Sequence, residues 1–219
     1  CAAHPDFLGS HLEGPFLDPG HKGAHDASQL REPDEAAVAL LIEAASGTLC
    51  QVTIAPELPG GMAAVAQLRA AGVVPAIGHT DADFGGAQAA INAGAGLLTH
   101  AFNAMRGLHH RDPGPVAAAT HDPRLVLEII ADGVHVHPEV VRMVFAAAPG
   151  RVALVTDAMA AAGASDGHYD LGSLGVDVVD GVARLSDGGA IAGSTLTQDA
   201  ALRWCVETVG IDVASAVTA

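Results

Sequence analysis

The chain has 219 residues, half of them hydrophobic, and its 25 acidic side chains against 10 basic ones give a net charge of −15. This composition excludes a disordered or fibrous protein. The acidic balance excludes a nucleic-acid binder, whose phosphate partners need a basic surface. No apolar run approaches the ~20 residues that cross a bilayer, and the longest, Ala36–Ile42, lies inside an amphipathic helical pattern. Cys1, Cys50 and Cys205 form no CxxC pair. They read as reduced thiols in a cytosolic protein, with Cys50 in the core. No signal-peptide pattern opens the chain, which reads as a piece of something longer. The twelve histidines outnumber lysine plus arginine, so their positions matter.

In chain order, Phe7–Gly14 is a strand candidate that ends on Glu13 and is broken by Gly14-Pro15. A polar loop, Asp18–Gln29, follows with Lys22, His25 and Asp26. Pro33, Asp34 and Glu35 open a helix closed by Gly47. Leu49–Ala55 reads as a buried strand with Glu57 just beyond it, and Met62–Ala71 as a helix ended by Gly72. Val73–Ile77 is a third strand running into Gly78-His79-Thr80-Asp81, and Asp83–Ala93 is a helix stopped by Gly94. A fourth strand ends at His100 in LLTHAFNAMRGLHHRDPG, and Pro115–Thr120 is a short helical piece. Leu125–Ala131 delivers Asp132-Gly133-Val134-His135, and Pro138–Ala147 is a helix with proline at a permitted early position. Val152–Val155 ends at Thr156-Asp157. Gly167–Gly189 alternates around Asp180-Gly181 and reads as an inserted β-hairpin. Ser194-Thr195 cap a final helix, Thr197–Val209, with another starting near Val213.

Six apolar strands alternating with helices indicate a parallel sheet covered on both faces. No GxGxxG follows a strand, and polar residues close most strands rather than gathering at one crevice. Both features favour an α/β barrel of the TIM type over an open doubly wound sheet. The two further strands are expected before Cys1. Glu13, His79, His100, His135 and Asp157 all fall just past predicted strand ends, which in a barrel converge on one mouth. One carboxylate and two imidazoles suffice for a catalytic divalent metal with a position left for water. Asp157 is the natural general base. Mixed oxygen and nitrogen ligation suits zinc and permits iron, cobalt or manganese.

HLEGPFLDPGHKGAHD, GHTDAD, THAFNAMRGLHHRDPG, ADGVHVHP, LVTDAMAAAG and IAGSTLT, running from about His11 to Leu202, resemble the motif series of the N-acetylglucosamine-6-phosphate deacetylase family of the amidohydrolase superfamily. The resemblance implies a (β/α)8 barrel of which strands 3 to 8 are present, with the family's small β-domain largely absent. It implies Glu13, His79 and His100 as metal ligands and Asp157 as the base that serves first the water and then the leaving amine. It places His25 near the scissile amide, His135 on the sugar, and Ile191 and Ala192 near the acetyl methyl. Asn103 and Ala104 would hold the phosphate, with Arg111 reaching it across a homodimer interface. The implied reaction releases acetate from N-acetylglucosamine 6-phosphate. The alternatives are a sibling acting on another N-acetyl amino sugar phosphate, such as the galactosamine epimer, and a non-catalytic sugar-phosphate binding barrel. His4, His11, His21, His121 and His168 read as structural or solvated, His137 as loop surface and Trp204 as packing. Of the pair His109-His110, one is expected to matter.

Overall fold

The computed structural model describes residues 6–219; Cys1 and His4 lie outside the described residues. The chain forms two compact units, one built from the residues up to Lys22 with Ala27–Val126, the other from Gly23–Asp26 with Leu127–Ala219. Among the described residues no helix is long and apolar enough to cross a membrane.

The first unit alternates β1 (Ser10–Glu13), α1 (Glu35–Ala44), β2 (Leu49–Ile54), α2 (Gly61–Ala70), β3 (Val74–Ile77), α3 (Phe84–Ala93), β4 (Leu97–Leu98) and α4 (Gly114–His121). Its strands pair parallel in sequence order. Helix starts follow their capping residues: the Asp34 carboxylate accepts the Ala37 amide at 2.7 Å and Asp83 accepts that of Gly86 at 2.7 Å, each worth about 1 kcal/mol. Val52, Ile54, Ile77 and Leu98 are fully buried, as expected of strands covered on both faces.

Register decides what meets at the strand ends. Glu13 pairs with Thr53, Thr53 with Ala76, and Ile77 with Leu98. His79 and His100 each stand two residues past that last pair, so they emerge side by side. The fourth strand stops at Leu98 rather than at His100 as expected, because the Thr99 amide makes the last ladder bond, to the Ile77 carbonyl at 2.8 Å. His100 then turns with φ 29.

The second unit carries β5 (Val126–Ile130), α5 (Pro138–Ala147), β6 (Val152–Val155), β7 (Gly167–Leu171), β8 (Leu174–Val179), β9 (Val182–Leu185), α6 (Gln198–Trp204) and α7 (Val213–Thr218). β5 and β6 pair parallel with Ile130 opposite Val155, which sets Asp132 and Asp157 at matching positions two residues further on. The 167–189 stretch is a three-stranded antiparallel sheet rather than a two-stranded hairpin. Asp180-Gly181 joins β8 to β9. Its core is Val176, Val178 and Ala183 packed with Met159, Ala161 and Ala192, and Ala24 joins them from the short 23–26 segment. The last long helix leaves α geometry at Cys205–Val209, a π-helical turn ended by Gly210 at φ 77. Burial there pushes the Cys205 thiol up to about 11.

A further sequence expectation is corrected. Cys50 is exposed rather than a core thiol. It sits at the start of β2 over Gly9, and its sulfur donates to the Leu8 carbonyl at 3.2 Å. His137, read as loop surface, is exposed and N-caps α5, where its ring accepts the Glu139 amide at 3.2 Å.

Gly78, at the end of β3, has no room for a side chain: a Cβ would fall 2.8 Å from Thr53 Cγ2 and 2.9 Å from Thr99 Cβ. Gly78→Ala is expected to lower stability by about 1–3 kcal/mol through overpacking. Urea unfolding of the variant beside the parent protein checks this.

Candidate metal centre

Three ligand atoms of the first unit converge. His100 Nε2 lies 2.8 Å from Glu13 Oε1, His79 Nε2 lies 3.2 Å from the same oxygen, and the two ring nitrogens are 3.1 Å apart. The rings meet edge-on, with centroids 4.8 Å apart at 82°. Both histidines are about 95% buried.

The protonation of His79 follows from its other nitrogen. Nδ1 faces the His21 carbonyl at 2.8 Å. A carbonyl only accepts, so Nδ1 carries the hydrogen and Nε2 of the neutral ring is a bare lone pair. That lone pair points at a carboxylate oxygen. Two acceptors 3.2 Å apart repel unless a hydrogen or a cation sits beside them, which a hydrogen on His100 Nε2, a second proton on the His79 ring or a divalent cation supplies. The carboxylate is poised for it. Burial raises the Glu13 pKa, but hydrogen bonding and charge from His100 and His79, when their Nε2 atoms carry protons, outweigh that and hold the carboxyl far below the usual range. A tetrahedral ion with bonds of about 2.0–2.2 Å spaces its donors about 3.3 Å apart, so the triangle observed needs only a small opening to fit one. The backbone carbonyl behind His79 is the usual means of orienting a ligating imidazole.

The backbone is strained at these positions. His79 has φ 47, His100 φ 29, Ala104 φ 46 and, in the second unit, Asp157 φ 48. Such conformations cost of order 1–3 kcal/mol each and persist where surrounding bonds over-determine them. At His79 those bonds are visible. Its carbonyl accepts the Asp18 amide at 2.9 Å, and the next residue, Thr80, exchanges main-chain bonds with Ala104 and Arg106. Glu57 accepts the Thr80 hydroxyl at 2.5 Å and the Asp81 amide at 2.6 Å. The Arg106 guanidinium spans Asp81 and Asp112 at 3.0 Å each, tying the two loops of this unit together.

Other predicted residues fall as follows. Asn103 donates from Nδ2 to the carbonyls of His100 and Ala101 at 3.1 and 3.3 Å, bracing the turn that carries His100. The Ala104 carbonyl accepts the Thr80 amide at 3.2 Å. Arg111 is exposed, with its guanidinium 2.7 Å from His110 Nε2. His25 lies in the short segment that belongs to the second unit.

In that second unit Asp157 is exposed and is held by its main chain. Its carbonyl accepts the Ser194 amide at 2.8 Å, and the Ser194 hydroxyl donates to the Thr156 carbonyl. Gly193 must be glycine: its φ is 63, and a Cβ would lie 2.9 Å from the Asp157 carbonyl oxygen. Ala192 is fully buried in the core beneath β7–β9, and Ile191 bridges to Arg184. His135 is fixed by Asp132, whose Oδ2 accepts its Nδ1 hydrogen at 2.6 Å while Oδ1 accepts the Val134 and His135 amides at 2.8 Å each. Trp204 packs over Gly133 in the same loop. Sequence reasoning missed Glu57 and Asp132 as orienting groups; His21, read as structural or solvated, lends its main-chain carbonyl to the His79 ring.

With that geometry in place, similarity to known proteins is informative. No family model matches the chain. It is 45% identical over 210 residues to an N-acetylgalactosamine-6-phosphate deacetylase of Escherichia coli O157:H7, covering 96% of this chain and 55% of that protein. It is 43% identical over 192 residues to an N-acetylglucosamine-6-phosphate deacetylase of Vibrio furnissii, covering 88% and 48%. Among solved structures, that of the Mycobacterium smegmatis N-acetyl-D-glucosamine-6-phosphate deacetylase in complex with N-acetyl-D-glucosamine-6-phosphate matches with TM-score 0.92 at 47% identity, covering 96% and 55%. This chain is a homologue of the N-acetylglucosamine-6-phosphate deacetylases. It spans about half the length of the curated relatives it matches.

Burial raises the Asp132 pKa, but its bonds to the His135 ring and to the two amides outweigh that and lower it. A carboxyl depressed in the folded state contributes stability that is present above its unfolded pKa of about 3.9. That stability is lost as pH falls through the lower folded value. Asp132→Asn is therefore expected to be less stable than the parent by about 1–3 kcal/mol at neutral pH. The gap should narrow below about pH 4. Denaturant unfolding across a pH series reads both.

Proposed function

We propose that the protein carrying this chain hydrolyses the acetamide of an N-acetylhexosamine 6-phosphate, with N-acetylglucosamine 6-phosphate as the leading substrate, giving the free amine and acetate. The observation that carries this reading is the His79 lone pair facing the Glu13 carboxylate beside His100. This donor set answers a divalent cation and contains no thiolate. We take the ion to be zinc, with iron, cobalt or manganese tolerated by the same ligands. When bound, such an ion polarises the amide carbonyl and acidifies water. Glu13, His79 and His100 hold it. The carboxylate of Asp157 takes a proton from the attacking water, the C–N bond breaks, and the same proton passes to the leaving nitrogen. His135, with Nδ1 committed to Asp132, offers Nε2 to the sugar. His25, Ile191 and Ala192 line the acetyl end, Ala192 through its main chain. Asn103, Ala104 and Arg111 receive the phosphate, Arg111 reaching a neighbouring copy's site in a homodimer. The fold is read as strands 3 to 8 of a (β/α)8 barrel in a cytosolic enzyme.

The galactosamine epimer is a second substrate candidate, because the relative that is 45% identical bears that name. The full-length, zinc-loaded protein is expected to release acetate from at least one of the two epimers. Asp157→Asn is expected to lower kcat by about 10²–10⁴-fold. Coupled acetate assays on both sugars test this. Sugar-phosphate binding without acetate release would favour the binding-barrel reading, and unimpaired turnover by Asp157→Asn would remove the base.

A further inference from the structure

We propose that Glu57 is a positioning residue for metal ligation, acting on His79 through the turn that follows it; the inference rests on the metal reading of Glu13, His79 and His100. Glu57 lies three residues past the end of β2 and belongs to none of the motifs that mark the site. Each of its carboxylate oxygens already accepts a bond, Oε2 from the Thr80 hydroxyl at 2.5 Å and Oε1 from the Asp81 amide at 2.6 Å. It grips the two residues that come directly after the ligand.

The grip has a purpose at that point in the chain. His79 sits at φ 47, a left-handed conformation that a histidine adopts only when its neighbours enforce it. From one side the enforcement is main-chain: the Thr80 amide bonds to the Ala104 carbonyl at 3.2 Å and the Arg106 amide to the Thr80 carbonyl at 3.1 Å. From the other side it is Glu57. The fully buried Thr80 hydroxyl links the two, donating to Glu57 and accepting the Ala82 amide at 3.0 Å. Charge-assisted bonds to a carboxylate are about twice as strong as neutral ones, so Glu57 is the stronger anchor. With it gone, the turn relaxes and His79 Nε2 loses its fixed aim at Glu13 and His100. Groups of this kind that orient a ligand contribute about 10–100-fold in metal affinity.

The test is zinc affinity by chelator competition on the full-length protein, with thermal melting of the metal-free form alongside. Glu57→Gln, which puts an amide donor against the Asp81 amide or the Thr80 hydroxyl, is expected to weaken zinc about 10–100-fold while the metal-free protein still melts cooperatively. Thr80→Val, of equal shape without the hydroxyl, is expected to weaken it in the same direction, and Thr80→Ser to restore it. The Glu57→Gln and Thr80→Val effects should be less than additive, because both break one bond. Unchanged zinc affinity in Glu57→Gln, with a parent protein that binds one equivalent, overturns the role of Glu57 alone. A parent protein that binds no equivalent of any divalent metal overturns the metal reading and this inference with it. If Glu57→Gln fails to fold, the Thr80→Val and Thr80→Ser pair decides.

Discussion

The bond from His79 Nδ1 to the His21 carbonyl is the constraint on which the rest of the site depends. It fixes one tautomer, and that tautomer turns a lone pair toward a buried carboxylate instead of a hydrogen. Without the bond, the ring could donate to Glu13 and the cluster would be an ordinary neutral hydrogen-bonded group. With it, the cluster holds an imidazole lone pair beside a carboxylate, the pairing a divalent cation answers. The two sides of the cluster are built differently. Glu13 is the last residue of a strand and is placed by register, whereas His79 and His100 lie beyond their strands and are placed by strained turns. Strand pairing brings the three side chains together, and the loop bonds set the aim.

That division explains what the sequence could reveal. Elements bounded by strong punctuation were legible to the residue: Pro138–Ala147 begins with proline, and Val152–Val155 is a pure apolar run. The fourth strand was read too long because no Gly or Pro follows Leu98 to mark where the strand stops before His100, and only the backbone shows that the ladder ends at the Thr99 amide. The π-helical turn at Cys205–Val209 leaves no mark in helical periodicity. Cys50 was misplaced because an apolar residue at the start of a strand is buried only if another element covers that end, and the Leu8–Gly9 backbone against its sulfur leaves it exposed.

The candidate ligand set was legible because ligation needs particular side chains at particular strand ends, and the structure brings Glu13, His79 and His100 together there. The groups that orient those ligands were not. His21 acts through its carbonyl, which every residue possesses, so its identity as histidine is irrelevant to that role. Glu57 and Asp132 act by hydrogen bonds to main-chain amides and to neighbouring side chains, and isolated acidic residues near loops are too common in a chain with 25 of them to stand out. The resemblance of six ordered motifs and the similarity to deacetylases of both hexosamine epimers bear on substrate class; the local geometry bears on the metal.

The most direct test of the metal centre is X-ray absorption at the zinc edge of the full-length, zinc-loaded protein. A shell of nitrogen and oxygen at about 2.0–2.2 Å, with outer-shell scattering from two imidazoles, is the predicted result. A sulfur shell near 2.3 Å, or scattering from fewer than two imidazoles, would contradict the assignment of Glu13, His79 and His100.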